Sequence, residues 1–146
     1  MKKILFVCRG NVGRSQMAAA IFNQLTNSKY QVSSAGTKVI SKEGESRHGQ
    51  LLKDLEAAEN VIIPLKQKGI DVSNNARTQL DPEMVKNADA IIVMAEPENI
   101  PDYLKQSGKM TYFEVADPKG TSLEEHRKVL SEIERFLVKF IKDSNL

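Results

Sequence analysis

The apolar residues of the chain form short runs and helical stripes that are separated by polar turns. The first run, residues 4–7, is β-prone and has no polar break, which is typical of a strand buried on both faces. After Ser15, Met17, Ile21 and Leu25 recur at four-residue spacing with alanines between them, so we expect an amphipathic helix of about three turns. Residues 8–14 are therefore predicted to form a loop that leads from a strand into a helix.

The rest of the chain alternates between strand patterns and helix patterns. Residues 31–35 predict a second strand that ends at Gly36, and further strands follow at residues 90–94 and 110–113. Alternating strands and helices predict an α/β fold with a parallel, doubly wound sheet. Helices are predicted from about Lys53 to Gly69, from an Asp81 N-cap and Pro82 through about Asn87, and between Pro97 and Gly108 with Pro101 inside.

The last predicted helix carries the longest apolar stripe. Thr121 and Ser122 each have a glutamate three residues further on, so either residue could begin this helix in a capping box. The stripe is predicted to face the core and does not indicate a cofactor-binding site. Its members are Val129, Ile133, Phe136, Leu137, Phe140 and Ile141.

Composition places the chain among ordinary globular proteins, with 146 residues, 40% apolar and 27% charged. We expect one domain over residues 1–146. The formal charge of +2 is too small to indicate nucleic-acid binding. The first apolar run is interrupted at Arg9, which argues against a signal peptide, and a single cysteine excludes an intramolecular disulfide. A cytoplasmic protein is therefore expected.

The predicted loop after the first strand combines residues that suit nucleophilic chemistry on an oxyanion. Cys8 ends the strand, Arg14 follows at a C-x5-R spacing, and Ser15 comes next. A thiol that faces a helix N-terminus and a guanidinium has a pKa of roughly 3.5 to 7.5, so we expect Cys8 to attack as a thiolate. Gly10 and Gly13 allow backbone N–H groups to turn inward around an anion.

The other loop residues have supporting roles in this interpretation. Arg14 presents a planar fork for two phosphoryl oxygens, and Ser15 can donate a hydrogen bond to the thiolate. Asn11 tolerates a left-handed backbone and can tie the loop to a neighbouring segment. A nucleotide-binding P-loop is excluded because its lysine and its glycine spacing are missing. The predicted phosphate-binding residues are Arg9, Gly10, Asn11, Val12, Gly13, Arg14 and Ser15.

With these residues, the chain resembles the low-molecular-weight protein tyrosine phosphatases and the thioredoxin-coupled arsenate reductases, which share one fold. The resemblance implies three layers around a four-stranded sheet of order 2-1-3-4, with a phosphate-binding loop after strand 1. The stretches that resemble the family outside the loop are 17–18, 33–37, 69–73, 76–77, 79–80, 91–94 and 117–118.

The resemblance also implies a general acid at Asp117, in the loop between the fourth strand and the last helix. Pro118 restricts Asp117 to an extended conformation, which helps to aim its carboxyl group. The alternative is an aspartate that only opens a turn before Lys119. Arg77 matches a family position near the loop and is interpreted as scaffold. Arg9 either points outward at the mouth, favouring an acidic substrate, or is an ordinary solvent-facing arginine.

The chain departs from both branches of the family. Phosphatases that act on phosphotyrosine commonly carry aromatic residues where this chain has Lys38, Lys119 and Gly120, and the chain has no tryptophan. The arsenate reductases use two further cysteines, and Ala95 stands near the place of the first. Residues 38–49 lie in a segment that is longer than in the familiar phosphatases. A surface loop before a longer helix is the plain interpretation, and a lid or recognition loop is the alternative.

We therefore hypothesise a cysteine-dependent phosphomonoester hydrolase, similar to a protein tyrosine phosphatase, that works through a phosphocysteine intermediate. A single-cysteine arsenate reductase using an external thiol and a non-catalytic phosphate-binding module remain as alternatives. Expected partners are a phosphorylated protein or small phosphomonoester and inorganic phosphate, with no nucleic acid, membrane, cofactor or metal. His48 and His126 lack metal-ligand spacing and are predicted on the surface. The physiological substrate and the oligomeric state are not predicted.

Overall fold

A parallel four-stranded sheet lies at the centre of the computed structural model, which describes residues 1–144. The strands are β1 (Lys3–Cys8), β2 (Gln31–Gly36), β3 (Ala90–Val93) and β4 (Met110–Tyr112), in the spatial order β2-β1-β3-β4. Every neighbouring pair is parallel. The α/β fold class and the strand order 2-1-3-4 are therefore confirmed.

Helices cover both faces of the sheet, which gives the three predicted layers. Alternate side chains of β1 point to opposite sides: Ile4, Phe6 and Cys8 pack in one apolar cluster, and Leu5 and Val7 in the other. All of them are nearly fully buried, as predicted for a strand covered on both faces. The helices are α1 (Arg14–Leu25), α2 (Glu59–Gln67), α3 (Pro82–Asn87), α4 (Asp102–Lys105) and α5 (Leu123–Ser144).

Side-chain caps begin two of the helices where the sequence places them. Asp81 accepts a 2.9 Å hydrogen bond from the Met84 backbone N–H at the start of α3. Ser122 accepts a 3.2 Å hydrogen bond from the Glu125 N–H at the start of α5, so Ser122 is the capping residue of the two candidates. No helix within residues 1–144 is long and apolar enough to cross a membrane.

The helix predicted from about Lys53 begins later, at Glu59. Two 3₁₀ turns, Leu52–Asp54 and Glu56–Ala58, precede it, and Leu55 between them is extended at φ −119°. The backbone N–H groups of Leu52 and Lys53 donate to Asn75 and Ser73 carbonyls instead of forming a helical turn. The predicted longer helix is therefore wrong, because this stretch pairs with a distant segment and buries Leu52.

The end of α1 also differs from the apolar stripe. Met17 and Ile21 are buried, whereas Leu25, the last residue of the helix, is 38% exposed. The helix ends there, and the chain turns through Asn27 and Ser28 in left-handed conformations before β2 begins at Gln31. The four-residue spacing therefore predicted the buried face of α1 correctly at Met17 and Ile21 but not at Leu25.

Candidate active site

The loop between β1 and α1 is held in place by Asn11. This residue is fully buried and left-handed, with φ 55°. Its side-chain N–H group donates to Ser15 Oγ at 2.7 Å and to Ser34 Oγ at 3.0 Å, and its Oδ1 accepts from the Thr78 N–H at 2.8 Å. Asn11 thus ties the loop to α1, to β2 and to the 76–79 segment, which fixes the loop before a ligand arrives.

The end of β2 approaches the same loop closely. A Cβ built on Gly36 would lie 2.6 Å from the Arg9 carbonyl oxygen and 2.8 Å from the Asn11 backbone nitrogen. Only glycine fits at that distance. The backbone N–H groups of Thr37 and Lys38 then donate to the carbonyls of Cys8 and Arg9, which fixes the first half of the loop against β2.

Cys8 lies at the bottom of the site, 2% exposed at the carboxyl end of β1. Its Sγ is 3.0 Å from Ser15 Oγ. Asn11 Nδ2 already donates to Ser15 Oγ, so the hydroxyl hydrogen is free to point at the sulfur. Ser15 is itself fully buried, so solvent does not compete for its hydroxyl hydrogen.

Arg14 begins α1 and turns its guanidinium toward the loops that follow β3 and β4. Nη1 donates to the Met94 carbonyl at 2.8 Å and to Glu96 Oε2 at 2.7 Å, with the Val115 carbonyl at 3.4 Å. Nε makes no hydrogen bond to any residue from 1 to 144, and Arg14 lines the cavity described below. Nη2 also donates to Glu96 Oε1 at 3.4 Å, so Glu96 binds both terminal nitrogens of the guanidinium, and Nε remains for an oxyanion.

Glu96 was missed by the sequence analysis. It forms the 2.7 Å ion pair with Arg14 and follows β3, the strand next to β1 in the sheet. The hydrogen bond from Arg14 holds the pKa of Glu96 below its ordinary value, although burial acts in the opposite direction. Burial acts to lower the pKa of Arg14, but Glu96, Cys8 and Asp117 outweigh it and raise that pKa.

Asp117 reaches the same site from the loop between β4 and α5. Its Oδ2 is 3.6 Å from Arg14 Nη2, and its Oδ1 accepts a 3.0 Å hydrogen bond from the Lys119 N–H. The side chain is 39% exposed, while Pro118 beside it is buried. The fold therefore brings the candidate acid to the mouth of the Cys8 loop, with one oxygen held by the backbone.

These residues open into one cavity of about 680 Å³. Cys8, Gly10, Val12, Gly13 and Arg14 line it from the loop, and Asp117 to Lys119 line another wall. Gly13 leaves space there, since a Cβ on it would meet Pro118 and Val61 only at 3.8 Å. The volume is that of a small-molecule site and exceeds what a phosphate group alone requires.

The 38–50 segment forms a further wall of this cavity. Val39 and Ser41 pair with Arg47 and Glu45 through backbone hydrogen bonds of 2.9 and 2.8 Å, so the segment folds back on itself. Its far end is tied down by the 2.7 Å hydrogen bond from the Gly49 N–H to the Arg77 carbonyl. Of the two interpretations of residues 38–49, the structure favours one in which the segment takes part in the site.

Arg77 joins that wall to the phosphate loop. Nε donates to the Gly10 carbonyl at 3.0 Å and Nη1 to Gln50 Oε1 at 2.8 Å. The side chain is 7% exposed. Burial lowers the pKa of Arg77, and neighbouring Arg47 lowers it further, while Cys8 opposes both. Arg77 is thus a scaffold residue that also places a charge beside the cavity.

The two histidines differ from each other. His48 is exposed, and its Nδ1 accepts a hydrogen bond from the Gln79 N–H at 2.9 Å. His126 was predicted on the surface, but it is only 3% exposed and lines the cavity. Its Nδ1 lies 2.8 Å from the Ser122 carbonyl. The first turn of α5 packs over the site and brings His126 to the cavity. Across residues 1–144, no cluster of three or more potential ligands could hold a metal ion.

Known proteins match this chain along nearly its whole length. An arsenate reductase of Staphylococcus aureus (strain Newman) is 31% identical over 134 residues, covering 90% of each chain. The arsenate reductase of strain N315 is 29% identical over 140 residues, covering 95% of each.

Solved structures resemble the fold equally well. The YwlE arginine phosphatase from Geobacillus stearothermophilus superposes with a TM-score of 0.78 at 27% identity, covering 97% of this chain and 92% of that one. A low-molecular-weight protein tyrosine phosphatase from T. tengcongensis gives 0.78 at 26% identity, with 97% and 99% covered. An arsenate reductase in the phosphate-binding state gives 0.75 at 26% identity, with 97% and 98% covered.

The family model described as low molecular weight phosphotyrosine protein phosphatase matches residues 3–145. That range includes the Cys8 loop, all four strands and the Asp117 loop. The chain therefore belongs to the low-molecular-weight phosphotyrosine protein phosphatase family.

Proposed function

We propose that the protein is a cysteine-dependent phosphomonoester hydrolase that works through a phosphocysteine intermediate. One observation carries this proposal: a nucleophile and an oxyanion-binding guanidinium from the β1–α1 loop meet a carboxyl group from the β4–α5 loop in one cavity. Cys8 Sγ is 3.0 Å from Ser15 Oγ, and Arg14 Nη2 is 3.6 Å from Asp117 Oδ2. That set matches the needs of phosphoryl transfer to sulfur followed by hydrolysis.

In the first step the Cys8 thiolate attacks phosphorus and the bond from phosphorus to the leaving oxygen breaks. Asp117 protonates that oxygen, so the alcohol leaves without a negative charge. Arg14 Nε and the loop amides bind the equatorial oxygens, on which charge is spread in the transition state. Glu96 and the Met94 carbonyl hold Arg14 in place for this contact.

In the second step water attacks the phosphocysteine. The Asp117 carboxylate accepts a proton from the water, the bond from sulfur to phosphorus breaks, and inorganic phosphate is released. Cys8 leaves with the electron pair as a thiolate, and Ser15 stabilises it by donating its hydroxyl hydrogen. The same carboxyl group thus acts first as acid and then as base.

The test is turnover of a phosphomonoester panel by the wild-type protein and by Cys8→Ala. We expect phosphate release from phenyl phosphate by the wild type, no release by the variant, and retained binding of inorganic phosphate by both. Lys53→Ala, an exposed change outside the cavity lining, is the matched control and should keep full activity. Phosphate binding without release by the wild type would support a non-catalytic module and contradict the proposal.

A thiol-dependent arsenate reductase is the second candidate, and the curated relatives favour it, since those named above are arsenate reductases. Cys8 is the only cysteine in the sequence, so an internal disulfide relay is impossible. Cys8 would displace water from arsenate, and an external thiol would then attack the Cys8 sulfur. The arsenic would leave with the electron pair as arsenite, and a second thiol would reduce the mixed disulfide.

This second candidate is tested by mixing the protein with arsenate and a small thiol. Formation of arsenite with the consumption of two thiols per arsenite, lost in Cys8→Ala, would support the reductase. Phenyl phosphate turnover without arsenite formation would leave the hydrolase as the activity of this site.

A further inference from the structure

The cavity walls beyond the phosphate loop carry an excess of positive charge. Acidic side chains in the lining are Glu43 and Asp117 only. No ion pair within residues 1–144 involves the cations of these walls. Besides Arg14, the cations that line the cavity are Arg9, Lys38, Lys42, Arg47, Arg77 and Lys119.

Large aromatic side chains of the kind that stack on a phenyl ring are missing from the same lining within residues 1–144. No phenylalanine, tyrosine or tryptophan lines the cavity in the described part of the chain. The aliphatic groups present, such as Ile40 and Leu55, offer no flat surface for stacking a phenyl ring. The cavity therefore favours charge over aromatic character in whatever part of the substrate extends beyond the phosphoryl group.

Arg77 offers a specific donor for a second anion. Its Nε and Nη1 are bound to Gly10 and Gln50, whereas Nη2 makes no hydrogen bond within residues 1–144. Nη2 lies beside the phosphate loop, 3.6 Å from the position of a Cβ on Gly10. Arg77 as a whole is more than nine-tenths buried, while Nη2 opens onto the cavity, where its free N–H bonds can reach an anion.

We propose that Arg77 Nη2, Arg47 and Lys38 form a second anion subsite next to the Cys8 loop. The substrate is then a small phosphomonoester that carries another phosphate or carboxylate group. This inference rests on the proposed function, in which the Cys8 loop binds the phosphoryl group that reacts. It adds the chemical class of the molecule that carries this group. The folded 38–50 segment supplies Lys38 and Arg47, which gives the longer segment a role in specificity.

The test measures equilibrium binding, so it does not depend on turnover. Phosphonoacetate and methylenediphosphonate are compared with ethylphosphonate by calorimetry at about 0.15 M salt, where general charge effects are screened. The longer homologues phosphonopropionate and ethylenediphosphonate are compared with propylphosphonate. We expect at least one doubly anionic probe to bind about tenfold to hundredfold more tightly than its singly anionic partner.

Arg47→Ala should remove most of the gain in affinity that the second anionic group of a probe provides. Lys38→Ala, a change of an exposed side chain in the cavity lining, should also reduce the gain in affinity. Lys66→Ala on the exposed side of α2 removes one positive charge away from the cavity and is the matched control, which should keep the gain. Thermal melting checks that each variant is folded.

Three results would overturn the subsite. The first is that no doubly anionic probe binds more tightly than its singly anionic partner. The second is that Arg47→Ala keeps the gain in affinity, and the third is that Lys66→Ala loses as much of it as Arg47→Ala does. If phenyl phosphate is hydrolysed while the probes show no gain, the subsite is wrong and the hydrolase stands. If the probes behave as expected while no phosphomonoester is turned over, the subsite stands and the hydrolase is wrong.

Discussion

At the scale of single residues, Arg14 shows how the site is assembled before a substrate binds. Nη1 is bound by the Met94 carbonyl and by Glu96, and Nη2 is bound by Glu96, so that the guanidinium is fixed while Nε has no partner within residues 1–144. Fixing the fork in advance reduces the ordering that substrate binding would otherwise require. Glu96 is therefore a positioning residue that acts through Arg14.

Glu96→Gln should lower kcat/KM for phenyl phosphate about threefold to tenfold, because the amide binds Arg14 without a charge. The variant should also change the pH dependence of stability. The pKa of Glu96 is lowered in the folded protein, so its stabilisation is complete above the ordinary glutamate pKa of about 4.3 and is lost as the pH falls through the lowered folded value.

The measurement is urea unfolding of both proteins between neutral and acidic pH. The wild type should exceed Glu96→Gln in free energy of unfolding by a constant amount above about pH 5, and the difference should shrink below about pH 4. Glu98 lies in the 3₁₀ turn Pro97–Asn99 that follows Glu96 and has no bond to Arg14, so Glu98→Gln is the control and should match the wild type. A difference that does not change with pH would contradict the role of the Glu96 charge.

Asp117→Ala should slow the cleavage of phenyl phosphate about a hundred to ten-thousandfold, because phenoxide is a basic leaving group that needs protonation. Cleavage of p-nitrophenyl phosphate should be slowed much less, since its leaving group departs readily as an anion. The comparison is made on the burst phase, which reports the first step alone. Glu114→Ala changes an exposed carboxylate just after β4 and serves as control. Equal slowing of the two burst phases would show that Asp117 is not the acid.

At the scale of elements, the carboxyl ends of neighbouring strands bring the site together. The alternation of strands and helices predicted a parallel doubly wound sheet, while the strand order and the general-acid role of Asp117 were implied by the resemblance to the family. Glu96 escaped because it contacts Arg14 from 82 residues away. The signal was available in the topology, since Glu96 follows the strand beside β1.

Local pattern was least informative where tertiary contacts override it. Leu51 and Leu52 have helical spacing with Leu55, yet Leu51 pairs with Ala76 and the backbone N–H groups of Leu52 and Lys53 are used by the 73–75 segment. His126 looked like a surface residue because its helix begins with charged residues, but the first turn of α5 lies over the cavity. Contacts of this kind depend on how elements are packed and leave no periodic signal in the sequence.

Gly36→Ala should damage the site through the end of β2. The new Cβ would lie within 2.8 Å of the Arg9 carbonyl oxygen and the Asn11 nitrogen, so the phosphate loop must shift. We expect a loss of about 1–3 kcal/mol in the free energy of unfolding and at least a hundredfold loss in kcat/KM.

Gly108→Ala is the matched control for this change. It introduces a Cβ at φ 73° in open space far from the cavity, so it should cost stability by backbone strain while the folded enzyme keeps its activity. Urea unfolding and phenyl phosphate turnover are measured for both variants. Full activity of Gly36→Ala would contradict the close approach of β2 to the loop.

At the scale of the whole molecule, the charge distribution is uneven although the net charge is small. The formal charge is +2, yet the charged side chains that line the cavity are mainly lysine and arginine. Composition could not predict this concentration, because it depends on the folding of the 38–50 segment toward the phosphate loop. A basic cavity also raises the local concentration of anionic substrates, so kcat/KM should fall as ionic strength rises.

The central claim is that phosphate is transferred to Cys8 before it is released. The most direct measurement is rapid mixing of the protein with phenyl phosphate, quenching within the burst phase, and mass spectrometry of the digested chain. A phosphocysteine intermediate gives one added phosphoryl group on the peptide that contains Cys8, present early and absent after substrate is exhausted, with longer persistence in Asp117→Ala. Release of phosphate while the Cys8 peptide never gains that mass, or gain of the mass on another residue, would contradict it.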